Sequence, residues 1–252
     1  MIKRAVFLVL TTVFLIPGFN SFVFAQMPTE LIEIPTAEII SYGNFDLNFR
    51  MYGKGDFLTR LSFGALRSVD LGFHLDLGSI TGNDEIEMRE PSLRLKIKLY
   101  GGNFYFPALA IGYDAQGHGN YIQKGGLLAD GTVAEEDTYT EKARGIFAVA
   151  TKEIFFEGLY VHGGGNVSDL DHIKIPDNLY GFLGVSRQLG DQAILMVEYD
   201  NIKKFEDEEN NRFNIGLSYL MTTQLSLDFA WKNIKKHHIP ERILRINYVE
   251  AF

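Results

Sequence analysis

Alternation of apolar and polar residues at every second position dominates the chain from Ser41 onward. In one such segment, apolar side chains at odd positions from Val69 to Leu77 are separated by polar or small residues, including His74 and Asp76. Because successive side chains of a β-strand point to opposite faces, a period of two predicts strands with one apolar and one polar face. No stretch of comparable length shows the 3.6-residue period of an amphipathic helix. The pattern therefore predicts an all-β protein.

Twelve alternating segments can be counted, and most are long enough to cross a bilayer as a tilted strand. Short connections follow every second segment, whereas most of the others are long, such as 115–143. Long loops on one side and short turns on the other are typical of outer-membrane barrels, and an even strand number returns both ends to the periplasm. We predict an antiparallel up-and-down transmembrane β-barrel over residues 37–252. Its approximate strands are 37–52, 57–66, 69–80, 92–100, 104–114, 144–153, 157–166, 178–187, 192–201, 212–222, 224–233 and 242–252.

The first 25 residues have the pattern of a secretory signal peptide. A short basic start precedes the apolar run 5–16, and residues 23–25 supply the small side chains expected before a cleavage site. The apolar run is too short to span roughly 30 Å of hydrocarbon as a helix. Residues 26–36 are then predicted to be an extended periplasmic lead-in to the barrel.

Composition removes several classes of function. A net charge of −8 argues against a nucleic-acid partner, because phosphates require a basic protein surface. The absence of cysteine excludes disulfide frameworks, zinc–thiolate centres and thiol nucleophiles. We expect no cofactor and no metal site. Charged residues are 22% of the chain and hydrophobic residues 46%, which excludes a disordered protein.

The orientation of the two faces decides between a membrane barrel and a soluble one. A membrane barrel turns its apolar face to lipid, whereas a soluble sandwich or barrel buries that face. The soluble fold stays open as the alternative. Twelve strands enclose more space than apolar side chains fill, which favours a polar lumen and outer-membrane lipid outside. Charges in a watery lumen would be solvated or paired. Replacement of Arg94, Lys96 and Lys98 by glutamate should therefore leave folding intact. The predicted lumen-lining residues are Asp46, Arg50, His74, Asp76, Arg94, Lys96, Lys98, Glu198 and Asp228.

Two patterns raise the question of chemistry. His74 and Asp76 lie two apart on the polar face of one strand, as a general base and its orienting carboxylate could. The sequence places no serine beside them, so we predict no catalytic residues and a protein that is not an enzyme. Acidic runs in the long loops at 84–90, 135–137 and 206–209 indicate a solvated surface, with bridging of divalent cations to anionic polymer as the alternative.

The end of the last predicted strand, with Tyr248 and Phe252 at alternate positions, resembles the signal read by the barrel assembly machinery. Several patches between residues 35 and 252 also resemble the YjbH-type outer-membrane family. That resemblance implies a barrel linked to exopolysaccharide production or secretion and brings no catalytic motif. The patches are 35–38, 42–43, 107–117, 181–185, 198–200 and 248–252.

These observations predict a non-enzymatic barrel in the outer membrane of a Gram-negative-type bacterium. We expect it to pass or export a hydrophilic substrate such as polysaccharide. The alternative is a structural or surface-interaction barrel whose lumen is closed by side chains.

Overall fold

The computed structural model describes residues 27–53, 55–81, 85–127, 131–141, 143–168, 179–203, 211–234 and 240–251. The predicted signal peptide, the acidic run 206–209 and Phe252 lie outside these residues. Over the described ranges, no helix is both long and apolar enough to cross a membrane.

Fifteen β-strands are present in the described part of the chain. They are β1 Asn44–Tyr52, β2 Asp56–Leu66, β3 Val69–Gly78, β4 Glu87–Met88, β5 Ser92–Tyr100, β6 Ala108–Asp114, β7 His118–Ile122, β8 Thr138–Glu141, β9 Gly145–Glu153, β10 Leu159–Val167, β11 Leu179–Leu189, β12 Ala193–Ile202, β13 Arg212–Leu220, β14 Leu225–Lys232 and β15 Glu241–Ala251.

Twelve of these strands form a closed antiparallel wall. Each wall strand pairs with the next one along the chain, and β1 pairs with β15 in a register that runs from Asn44↔Ala251 to Met51↔Leu244. Closure removes the free sheet edges. Of the other three strands, β4 pairs with the end of β3, and β7 pairs with β8 inside the long connection between β6 and β9. The prediction of a twelve-stranded antiparallel barrel is confirmed.

The wall turns its polar face inward and its apolar face outward. On β3, Asp70, His74 and Asp76 are buried inside the barrel, whereas Leu71 and Phe73 are 41% and 53% exposed on the outside. An outer surface of large apolar side chains around a charged interior is favourable only where the outside meets hydrocarbon. The barrel is therefore built as a membrane-spanning one, and its outer face does not fit the soluble alternative.

Two strand starts differ from the sequence prediction by more than two residues. The first wall strand begins at Asn44 rather than at residue 37, because the preceding residues enter the barrel. The strand predicted from residue 104 begins at Ala108, since the Asn103 side chain accepts hydrogen bonds from the backbone N–H of Tyr105 (2.9 Å) and Phe106 (2.8 Å) and forms a turn there.

Residues 27–40 fold back into the lumen as a tight hairpin, which we call the lumen hairpin. The backbone N–H of Thr36 donates to the carbonyl of Thr29 (3.1 Å), and that of Leu31 donates to the carbonyl of Ile34 (3.0 Å). The segment enters from the short-turn side, where residues 27–29 lie beside the turn 222–224. The sequence predicted only an extended periplasmic lead-in at 26–36. The segment turns inward because its charged and apolar side chains both find partners on the inner wall.

Candidate functional site

The inner wall is divided into two halves of different chemistry. One half, on β14, β15, β1, β2 and β5, carries a row of buried or half-buried cations that we call the basic track. Its members are Arg50, Arg60, Arg94, Lys96, Lys98, Lys232 and Arg245. The other half, on β6, β9, β11, β12 and β13, presents mostly small or apolar side chains. They include Ala108, Ala110, Phe147, Val149, Phe182, Gly184, Met196 and Gly216.

Glycines on the apolar half make room for the lumen hairpin. A Cβ atom at Gly184 would lie 2.4 Å from the Cδ1 of Ile34 and 2.9 Å from the Cδ1 of Leu31. A Cβ atom at Gly216 would lie 3.0 Å from the Cδ1 of Ile32. Both distances from Gly184 are shorter than real Cβ contacts, so the Ile34 and Leu31 side chains fill the space that the missing side chain leaves on β11.

Glu30 of the hairpin meets three arginines of the basic track. Its carboxylate forms ion pairs with Arg60, with Arg245 at 2.8 Å and with Arg94 at 3.4 Å. Burial alone would raise the pKa of Glu30, but the three guanidinium charges outweigh burial and hold the pKa well below its usual range. The residue is therefore a buried anion at neutral pH.

Glu33, near the tip of the hairpin, is the second anion. It forms ion pairs with Arg50 and, at 3.2 Å, with Lys232, and the Nε2 atom of His118 lies 3.6 Å away. Burial would raise the pKa of Glu33, and the neighbouring charges of Arg50 and Lys232 reverse that effect and lower the pKa well below its usual range. Glu33 is also held as a carboxylate.

Two lysines of β5 bind the base of the hairpin. The Lys96 ammonium is fully buried and donates to the backbone carbonyls of Thr29 (2.6 Å), Glu38 (2.7 Å) and Thr36 (3.3 Å). The Lys98 ammonium donates to the Glu38 carboxylate at 2.6 Å. A buried ammonium is stable only where its protons reach acceptors, and for Lys96 the hairpin backbone supplies them.

The apolar half of the wall holds the hairpin tip through one buried carboxylate. Glu198 accepts hydrogen bonds from the backbone N–H groups of Ile32 (2.6 Å), Glu33 (3.0 Å) and Ile34 (3.1 Å). It also accepts one from the Asn214 amide at 3.0 Å. Consecutive backbone N–H groups that converge on one point form an anion-binding concavity, here filled by a wall residue.

The nine residues predicted to line the lumen all lie on the inner side of the wall. Arg50, Arg94, Lys96, Lys98 and Glu198 contact the hairpin. Asp46 and Asp228 lie 3.8 Å and 2.7 Å from Arg60 and Arg245 and so flank the basic track. Asp76 faces the long-loop end, where it pairs with Arg89 at 2.9 Å and accepts hydrogen bonds from Tyr52 and Tyr139.

Sequence reasoning missed six residues of the site. Arg60, Lys232 and Arg245 lie on polar faces of predicted strands, so the alternation itself contained the signal for them. The three glutamates of the hairpin, Glu30, Glu33 and Glu38, carry no periodic signal. Tyr248 lies 6.1 Å from Phe45 between ring centroids, and the assembly role of Tyr248 and Phe252 stays a prediction.

Two cavities flank the lumen hairpin. The loop-side cavity, about 290 Å³ in volume, lies at the hairpin tip beneath the long loops and is lined by residues such as Glu33, Arg144 and Arg212. The turn-side cavity, about 110 Å³, lies by the short turn 222–224. Glu30 and Arg60 line both cavities. The hairpin therefore divides the lumen, and this ion pair is at the division.

The structure brings Ser92 and Asp114 close to His74 without forming a catalytic relay. The Nδ1 atom of His74 lies 3.2 Å from the Ser92 hydroxyl and 3.7 Å from the Asp114 carboxylate, so both groups share one ring nitrogen. A relay needs the serine and the carboxylate on opposite nitrogens. His162 bridges Thr151 and Ser186 at 3.0 Å each and is fully buried. In the described ranges, no group of three or more His, Asp or Glu residues is arranged to hold a metal ion.

No family model matches the chain, and no curated protein matches it. Similar solved structures include the KdgM porin, with a TM-score of 0.49 and 9% identity over 83% of this chain and 99% of that one. They also include outer membrane phospholipase A from Escherichia coli, with a TM-score of 0.45 and 10% identity over 90% and 95% of the two chains. The NanC porin has a TM-score of 0.42 and 8% identity over 82% and 99%. The resemblance to the YjbH-type family stays a prediction.

Proposed function

We propose that this protein is a non-enzymatic barrel of a Gram-negative outer membrane that passes a hydrophilic solute, with the lumen hairpin as its gate. One observation carries the proposal. The charged lumen is closed by a separate segment, residues 27–40, and not by the side chains of the wall alone. A separate segment can leave the lumen, whereas the side chains of the wall cannot leave it without disturbing the strands that carry them.

The connectivity of the hairpin allows it to leave without opening the wall. None of the wall's strand pairings includes residues 27–40, and the bridge between Glu30 and Pro35 joins the hairpin only to itself. Its covalent connection to the wall runs through residues 41–43 at the short-turn side, where the Gly43 N–H donates to the Gly64 carbonyl at 3.1 Å. Withdrawal towards that side would join the two cavities.

A structural barrel with a permanently closed lumen is the second candidate, and the close fit of the hairpin favours it. Leu31 and Ile34 are fully buried against the apolar half of the wall. Three ion-paired glutamates hold the other side of the hairpin. Permeability measurements on a barrel with a displaced hairpin separate the two candidates.

The substitution Gly184→Leu is the direct test. A leucine at this inward position collides with Ile34 and Leu31, which should expel the hairpin and leave the strand pairing intact. In liposomes, the variant should release a neutral trisaccharide faster than the unchanged protein. Gly181→Leu on the outer face of the same strand is the matched control, because its Cβ atom would meet no atom closer than 3.6 Å. A Gly184→Leu barrel that is folded with its hairpin displaced and still releases no trisaccharide would instead establish the closed structural barrel.

A further inference from the structure

We infer that the solute is an acidic saccharide chain, and that Glu30, Glu33 and Glu38 of the lumen hairpin occupy the positions where carboxylates of that chain bind. This inference rests on the proposed passage function and names its substrate class. The hairpin is then an internal competitor of the substrate: it closes the lumen by filling the substrate's own contacts.

The three carboxylates occupy successive levels of the basic track. Glu38 binds Lys98 near the short-turn side, Glu30 binds the arginines in the middle, and Glu33 binds Arg50. Along β5, four residues of strand rise separate Lys98 from Arg94, about 13 Å. Arg60 stands opposite Asn48 in the β1–β2 pairing. Arg50 is two residues beyond Asn48 on β1, so it lies about 7 Å further along the barrel than Arg60. A single sugar acid cannot reach all of these levels, whereas a chain can.

Departure of the hairpin uncovers specific cations. Within the described residues, the salt bridges of Arg50 and Lys98 are made to the hairpin, and the hydrogen bonds of Lys96 go to hairpin carbonyls. Of the wall carboxylates, Asp70 stands opposite Lys96 in the β3–β5 pairing and offsets one of these charges. The open lumen therefore gains net positive charge, which an anionic occupant neutralises.

The same wall also contains buried polar atoms without partners, some of which need a hydrogen-bond donor and others an acceptor. Among the described residues, both carboxylate oxygens of Asp70 and the hydroxyl of Ser62 make no hydrogen bond, and neither does the Nε atom of Arg94. A saccharide hydroxyl donates and accepts from one atom, so it suits acceptors such as Asp70 as well as donors such as Arg94. A polyanion without hydroxyl donors would be repelled by Asp70. A uronate-type chain carries both carboxylates and hydroxyls.

The test uses the full chain with one reporter, Ala37→Cys. Ala37 is fully buried in the seated hairpin, and the protein has no other cysteine, so modification by a polar maleimide reports release of the hairpin. Trimannuronate is compared with mannotriose, which has the same sugar skeleton without the carboxylates. Sodium acetate at equal carboxylate concentration controls for ionic strength. We expect trimannuronate to speed modification on the order of tenfold over mannotriose, a usual size for coupling between two ligands, and acetate to have little effect.

A matched pair of variants connects the effect to the track. Arg50→Gln should reduce the ratio of the trimannuronate rate to the mannotriose rate, even if its basal rate rises. Arg187 is a buried cation outside the basic track, and its guanidinium donates to the Glu157 carbonyl. Arg187→Gln should therefore leave the ratio unchanged. An equal loss of the ratio in both variants would contradict a role for the track.

The possible failures are distinguishable. Equal rates with trimannuronate and mannotriose, in a protein whose Gly184→Leu variant is permeable, would overturn the substrate class and leave the passage function standing. Triglutamate acting as strongly as trimannuronate would replace the saccharide with an acidic peptide. Absence of permeation in the folded Gly184→Leu variant would overturn the passage function itself.

Discussion

The Glu30 carboxylate pairs with the Arg60 guanidinium at the level where the loop-side and turn-side cavities adjoin. Glu30 belongs to the lumen hairpin and Arg60 to the wall, so this pair separates when the hairpin moves. Arg60 also has a wall carboxylate nearby, since Asp46 lies 3.8 Å from it. The guanidinium can therefore exchange one anion for another, which lowers the cost of opening.

Neutralising Glu30 should release the hairpin. The substitution Glu30→Gln removes the charge shared by three buried arginines, and loss of one partner from a buried ion-pair group costs on the order of 3 kcal/mol. We expect faster trisaccharide release from liposomes. Glu38→Gln is the control, because its partner Lys98 is partly exposed and such pairs contribute about 1 kcal/mol or less. Equal effects of the two changes would argue against Glu30 as the principal contact.

Glu198 should determine the order of the hairpin tip. In Glu198→Gln, an amide NH₂ group replaces one acceptor oxygen and faces backbone N–H donors, so charge-assisted hydrogen bonds worth about 2 kcal/mol are lost. Hydrogen–deuterium exchange over residues 30–36 should become faster. Ser186→Ala is the control, because it removes an inner-wall hydroxyl that contacts His162. Exchange over residues 30–36 should not change in that variant. Unchanged exchange in Glu198→Gln would mean that the apolar contacts alone hold the tip.

Acid should weaken the binding of the hairpin progressively, beginning near the pKa of a free glutamate and continuing well below it. The pKa values of Glu30 and Glu33 are lowered well below 4.5 in the seated hairpin because the wall cations outweigh the effect of burial. A lowered pKa stabilises the seated state at every pH above the pKa of the free side chain, and this stabilisation is lost as the pH falls through the seated-state pKa. Protonation of Glu30 and Glu33 should therefore make trisaccharide release rise as the pH falls below about 5.

The variant Glu30→Gln/Glu33→Gln provides the control for this pH profile. Without the two carboxyl groups, release should be faster at neutral pH and should lose most of its dependence on acid. A profile in the double variant that still rises as in the unchanged protein would assign the acid response to other groups.

Alternation in the sequence was sufficient to predict the wall because each wall strand has one face towards the outside and one towards the lumen. The strand predicted at 92–100 coincides with β5, and β3 differs from its prediction only at the end. A shift of one residue would exchange the two faces along a whole strand, so register and orientation are strongly specified by the pattern.

The content of the lumen could not be predicted in the same way. The hairpin has no period, and its contacts join distant positions, such as Glu198 and the N–H of Glu33, 165 residues apart. The expectation that glutamate would be tolerated at positions 94, 96 and 98 assumed a watery lumen. The structure contradicts that assumption at Lys96, which is fully buried among carbonyl oxygens that would repel a carboxylate.

Two neighbouring positions of β5 test the orientation of the wall and the binding of the hairpin together. Leu95 points outward and Lys96 inward. Leu95→Arg places a cation in hydrocarbon and should lower the free energy of unfolding by about 2–4 kcal/mol, measured by urea titration in lipid vesicles. Lys96→Met leaves three hairpin carbonyls without their donor, so release of trisaccharide should increase while the outer face of the barrel is unaltered. Stability unaffected by Leu95→Arg would mean that this face does not meet lipid, and tight closure in Lys96→Met would mean that the hairpin does not depend on the track.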